Sequence, residues 1–332
     1  MYSPPSSPAR RAATMALPTL ALVLVVASLL GNPALRGLLV AAWGRIDPRA
    51  VLVVLPVQLV AIVVCTVAQQ ALRPGISFAA SFVARLVRDA AHNLLIFPPG
   101  MGEVVGARAL VLLGGGARMA AALRVLDLAA EVLAEVPYMA LAGWVLWRWW
   151  AGGAHEAAPP VLHAPGALWP AMIALAVGLG LLVWRRLRST RVGRRLRAEA
   201  HLLGRELKRQ RVGFPAAFAL HVIGWGLSGV QVWLAARVMA VPLGLWQALA
   251  IESAATSARV ILFFVPGGLG MQEAGAVLAG LALGVPAPAS LAFSLVLRLR
   301  DVVFGVALAG WPLLEWRARL RAARLRDAAA SG

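Results

Sequence analysis

The sequence predicts an all-α polytopic membrane protein, with about six full spans and two re-entrant helical hairpins in an inverted-topology repeat. Three observations predict this. The 332 residues are 61% hydrophobic and 14% charged, whereas a soluble domain carries about 25% charge. Apolar runs long enough to cross a bilayer recur along the chain. Two of them are interrupted on one plan: Ile96-Phe97-Pro98-Pro99-Gly100-Met101-Gly102-Glu103 early in the chain, and Phe264-Val265-Pro266-Gly267-Gly268-Leu269-Gly270-Met271-Gln272-Glu273 late in it.

The interruptions organise the rest. Proline cannot donate the helical hydrogen bond and glycine permits backbone angles other residues avoid, so each run breaks and restarts near its methionine. Such a stretch can be a short turn outside the bilayer. Alternatively it is a break at membrane depth, where unpaired backbone is tolerated if protein or water covers it. The recurrence of the plan favours the second reading, which makes Glu103 and Glu273 polar-site candidates.

In chain order, residues 1–14 are rich in Ser, Pro and Arg and read as a disordered N-terminus, with Met1 or Met15 as the start. The first membrane half, 15–184, opens with an apolar anchor at 15–31 and a clearer span at 51–72. A mixed segment from Ser77 to Phe97 carries Arg85, Arg88, Asp89, His92 and Asn93 into the break around Pro99. A short helix near 103–113, a triple glycine and a long helix from Leu123 to Trp150 follow, the last ending in Trp144, Trp147, Trp149 and Trp150, an interfacial belt. Another span covers 168–184.

Residues 185–213 hold eleven Arg or Lys against two Glu, while 151–167 hold none. The positive-inside rule puts the basic loop in the cytoplasm, against anionic headgroups, and the loop without basic residues outside. The second half, 214–314, contains a span at 214–236, a pair at 244–264 and 270–284 flanking Pro266, and a last span at 288–314. The basic tail 315–332 is cytoplasmic by the same rule. Parity then makes the hairpin around Pro99 enter from inside and the one around Pro266 from outside, with a binding site between them.

The +18 net charge does not point to nucleic acid, because the basic residues cluster in loops beside apolar runs and build no groove interleaved with aromatics. Cys65 is the lone cysteine, so no intrachain disulfide forms. The five histidines, His92, His155, His163, His201 and His221, lack metal-ligand spacing and read as loop or interfacial residues. No catalytic, metal or cofactor motif is present.

Eight of the fourteen acidic residues lie in or beside apolar segments. A charge at the bilayer centre costs roughly 2.5 to 3.5 kcal/mol, so these need partners. Arg85 and Arg88 with Asp89, Arg124 with Asp127 and Glu131, and Arg298 with Asp301 stand at helical spacing. Glu252, Thr256 and Arg259 form one polar stripe. Restarted helices point N–H groups into the site and, with arginines nearby, suit an anionic headgroup. The sequence leaves open whether Glu103 and Glu273 hold those arginines, bind a cationic headgroup part or take up protons.

Pro266 to Glu273, followed by Ser294-Leu295-Val296-Leu297-Arg298-Leu299-Arg300-Asp301, resembles the transmembrane region of the lysylphosphatidylglycerol synthase/flippase family. The resemblance is closer to stand-alone members such as the hopanoid-biosynthesis-associated membrane proteins. Asn93-Leu94-Leu95 through Gly102-Glu103, Gly106-Ala107-Arg108 and the helix from Asp127 to Glu135 look like the family's first half. Gln272-Glu273 stands where the family often has Arg-Glu, and Pro98-Pro99 where it has an extra glycine or polar residue. The resemblance, over 15–315, implies a lipid translocator of the bacterial cytoplasmic membrane without the aminoacyl-transferring domain of two-domain members. Glu103, Arg259, Glu273, Arg298 and Asp301, which surround the breaks, are lipid-binding candidates, together with Arg108, Asp127, Glu252, Gly267 and Gly268. A lipid-modifying enzyme and a non-transporting scaffold of a lipid-synthesis pathway are the rival readings.

Overall fold

The computed structural model describes residues 31–72, 75–94, 100–152, 212–261 and 270–330. Its regular elements are helical: α1 (Pro33–Trp43), α2 (Pro48–Leu72), α3 (Phe78–Leu94), α4 (Met101–Leu112), α5 (Ala117–Ala151), α6 (Gly213–Val238), α7 (Leu245–Ile261), α8 (Met271–Ala282), α9 (Ala287–Gly305), a 3-10 turn (Val306–Gly310) and α10 (Trp311–Ala330). The protein is all-α, as expected. The expected segments at 15–31 and 168–184, nearly all of both intervening loops, and both Pro-containing tips with Gly267 and Gly268 lie outside the described residues.

Two differences from the expected elements have local causes. The sequence reading did not anticipate α1. Asn32 caps it by accepting from the N–H groups of Ala34 (3.0 Å) and Leu35 (3.3 Å), with Pro33 in the first helical position, an arrangement that starts helices. The expected last span at 288–314 is divided by the 3-10 turn. There Gly305 sits so close to Leu94 of α3 that a Cβ would collide with the leucine side chain.

Helices α3 and α4 pack back on each other, and so do α7 and α8. The two pairs match in length, 17 then 12 residues in each. Both short helices are N-capped by a glycine in the left-handed region, Gly100 (φ 82°) and Gly270 (φ 81°), begin with methionine and carry glutamate in the third position. Both end at a leucine followed by a positive-φ glycine, Gly114 and Gly284. Only glycine takes that backbone cheaply, so the repeated Gly-Met-x-Glu is a repeated helix start.

The cores are built from small residues, which let helices approach closely. One joins Leu72, Leu110, Leu123 and Leu126 with alanines of α2 to α6. Another joins Val232, Ile251, Phe293 and Leu297 with alanines of α5 to α9. Helix α2 runs along α6 and ties the two together. Among the described helices, α2 and α6 are long and apolar enough to cross a membrane, with mean hydropathy 2.8 and 1.4. Large apolar side chains such as Leu52, Val104, Val136 and Val303 face outward.

Candidate functional site

A cavity of about 400 Å³ opens where α3 and α7 meet α2, α5, α6 and α9. Its wall holds Arg85, Arg88, Asp89, His92 and Asn93 of α3, Glu131 and Glu135 of α5, His221 of α6, Glu252, Thr256 and Arg259 of α7, and Arg298 and Arg300 of α9. Gly100, Met101 and Gly102 bring the start of α4 to it, exposing backbone N–H groups that favour anions.

On the α3–α4–α5 side the charges form a closed lattice. Arg88 donates to Glu103 (2.7 Å), Asp89 (2.8 Å) and both oxygens of Glu131 (3.1 and 2.9 Å). Arg85 donates to Asp127 (3.0 Å) and Glu131 (3.1 Å), and Arg124 to Asp127 (2.7 Å) and Glu103 (2.6 Å). The His221 Nε2–H donates to the remaining oxygen of Asp127 at 2.9 Å. Asp127, Glu131 and His221 lie close enough together to hold a cation. Arg85, Arg88 and Arg124 already occupy those carboxylates, and three guanidinium charges repel a metal ion.

The α7–α8–α9 side is sparser. Arg298 donates to Glu273 at 2.9 Å, and the other oxygen of Glu273 accepts from the N–H of Gly270, which closes the helix cap. Arg300 donates to Asp301 (2.7 Å) and Gln231 (2.6 Å), and Gln231 donates to Gln58 (3.1 Å). Arg259 makes one polar contact among the described residues, 3.5 Å to the Asn93 side chain, and this contact joins α7 to α3.

The candidate residues therefore sort into groups. Glu252, Arg259 and Arg298 line the cavity. Glu103 and Glu273 sit behind it and hold the wall arginines Arg88 and Arg298, the first of the roles left open above. Asp127 and Asp301 are buried supports. Arg108 is away from the cavity. It is half-exposed and grips Glu315 with two donors at 3.1 and 3.0 Å, which corrects its placement in the site. Asp301 pairs with Arg300 and not with Arg298 as helical spacing suggested. His221, expected at a loop or interface, is buried in α6. Gln58, Trp225 and Glu135 also line the cavity and were not among the candidates. The bare glutamate of α5, on the face it shares with Asp127 and Glu131, was a readable signal for the last of them.

No curated protein and no solved structure matches the chain. The sequence profile of the lysylphosphatidylglycerol synthase TM region matches residues 10–309. That match covers most of the 332 residues and includes both capped helix starts and the whole lattice, so the chain is a membrane protein belonging to the lysylphosphatidylglycerol synthase transmembrane-region family.

Proposed function

We propose that this protein is a multi-pass lipid translocator of the bacterial cytoplasmic membrane that moves a polar-headed, anionic lipid between leaflets. The observation that carries the reading is Arg259, a cavity-lining guanidinium with no carboxylate within ion-pair distance among the described residues. A charge held at membrane depth without a partner marks a ligand position. The lipid phosphate fills it, assisted by Arg298 and the backbone N–H groups at the start of α4, while the acyl chains stay against the outward-facing valines and leucines.

The matched pairs α3–α4 and α7–α8 act as re-entrant hairpins from opposite faces, related by inverted topology. Rocking one against the other opens the cavity to each leaflet in turn. Residues 185–213 and the tail 315–332 lie in the cytoplasm and touch anionic headgroups, and residues 151–167 lie outside.

The test is reconstitution of the purified chain into vesicles containing trace fluorescent phosphatidylglycerol, with leaflet position read by a membrane-impermeant quencher. Parent protein exchanges the label between leaflets, R259A does not, and R259K retains a fraction of the rate. Equal exchange by R259A and parent overturns the reading. A change in total lipid composition without a change in leaflet distribution supports an enzyme instead.

A further inference from the structure

Among the described residues, two carboxylates in the cavity have no basic partner. Glu135 of α5 and Glu252 of α7 are each 6% exposed, and both line the cavity. One oxygen of Glu135 makes no hydrogen bond, and the contact of Glu252 is a 3.3 Å bond donated by Thr256 on its own helix. Every other acidic residue of the two charge networks has an arginine: Asp89, Glu103, Asp127 and Glu131 on one side, Glu273 and Asp301 on the other.

The surrounding charges do not fill the gap. Arg85 and Arg88 are taken by Glu131 and its neighbours, and Arg300 by Asp301. Arg298 is held by Glu273, and His221 by Asp127. Arg259 faces both glutamates from beyond ion-pair distance, and the wall's remaining titratable groups are His92 and Cys65. The buried hydroxyl of Tyr138, one turn beyond Glu135, also lacks a partner among the described residues. An ionised carboxylate left alone in such a place is costly, and a bound proton removes the charge.

Resting on the translocator reading, we propose that Glu135 and Glu252 form a proton-binding site that couples lipid movement to the transmembrane proton gradient. The cavity gives solvent a path to them. They take protons while it faces one side, and neutralisation lets α5 and α7 close over them. The protons leave when it faces the other side. The arginine-locked glutamates cannot serve, because protonating them would strand a buried guanidinium.

The experiment uses the same vesicles with no gradient, with a pH gradient and with a sodium gradient. One pH unit limits the leaflet ratio of labelled phosphatidylglycerol to about tenfold for each proton moved per lipid. Parent protein is expected to shift the label several-fold under the pH gradient and to leave it even under sodium. E135Q is expected to lose the shift even after times long enough for its own exchange without a gradient, whatever its rate, to reach completion. An even distribution under the pH gradient, a shift driven by sodium, or an undiminished shift in E135Q overturns the proposal.

A second readout does not depend on transport. Acid-minus-alkaline infrared difference spectra of the purified chain should show a protonated-carboxyl stretch that weakens in E135Q and in E252Q and vanishes in the double variant. An unchanged band overturns the proton site even where exchange is normal. Absent exchange with the band intact overturns the translocator reading and leaves the proton site standing.

Discussion

Arg298 Nε lies 2.9 Å from Glu273 Oε1, and the second oxygen of Glu273 receives the N–H of Gly270 at 2.9 Å, so one carboxylate both holds a cavity arginine and caps α8. Glutamine places an NH2 donor where one of these two donors now meets an oxygen, so at least one bond is lost. E273Q should therefore loosen the hold of α8 on Arg298 and slow lipid exchange, as R298A should. The lost charge-assisted bond costs about 1.5 to 3 kcal/mol, small enough for the folded protein to persist in the membrane. Normal exchange by both variants would remove this pair from the site.

Asp127 makes a contrasting case. It is fully buried and receives Arg85, Arg124 and His221, each from a different helix. Removing its charge leaves two buried guanidinium groups short of an acceptor, a loss of about 3 to 5 kcal/mol. D127A should lower the unfolding midpoint of the detergent-solubilised chain sharply. R108A should leave it unmoved, because the Arg108–Glu315 pair is open to solvent.

Close packing predicts a third outcome. A Cβ at Gly275 would stand 2.5 Å from the carbonyl oxygen of Ala254, a backbone atom that cannot turn aside, whereas Gly143 has nothing within 4 Å. G275A should destabilise the α7–α8 pair by about 1 to 3 kcal/mol and slow exchange, while G143A should leave exchange at the parental rate. Unfolding curves and the vesicle assay on both variants check this.

The helix pairs were legible because their signals are local: proline removes a donor, glycine permits a left-handed turn, and both recur on one plan. The lattice was not. Arg85 and Arg88 pair mainly with residues of α5 some forty positions away, and Arg108 meets Glu315 at a separation of 207. Helical spacing finds partners on one helix, as with Arg124 and Asp127, and is blind to register between helices. The same blindness assigned Asp301 to Arg298 and left His221 at an interface. Helix α1 does not stand out in the sequence although Asn32-Pro33 marks its start, because its eleven residues are too few to read as a span.

Orientation follows from charge bias and is open to direct measurement. Cysteines introduced as H155C and H201C, each in a C65S background, should differ: an impermeant maleimide added outside intact cells labels the first and spares the second. The basis is the eleven basic residues of 185–213 against none in 151–167, with the positive-inside rule. Equal labelling would overturn this orientation.

Cys65 provides the last prediction without altering the protein. It is the lone cysteine of the chain, is partly exposed, and lines the cavity beside Gly224, where a Cβ would stand 2.9 Å from its sulfur. A small cationic methanethiosulfonate reaching the cavity should attach there, adding bulk and positive charge beside Arg85 and Arg88. The lipid phosphate would then meet an extra cation outside its seat near Arg259, and the added volume would obstruct closure. Lipid exchange should fall several-fold on treatment, recover when reductant removes the adduct, and be insensitive in C65S. Phosphatidylglycerol supplied during treatment should slow the modification by occupying the cavity, and a neutral diacylglycerol should not. Modification at the same rate with either lipid, or exchange unaffected by a fully modified Cys65, would place the lipid path elsewhere.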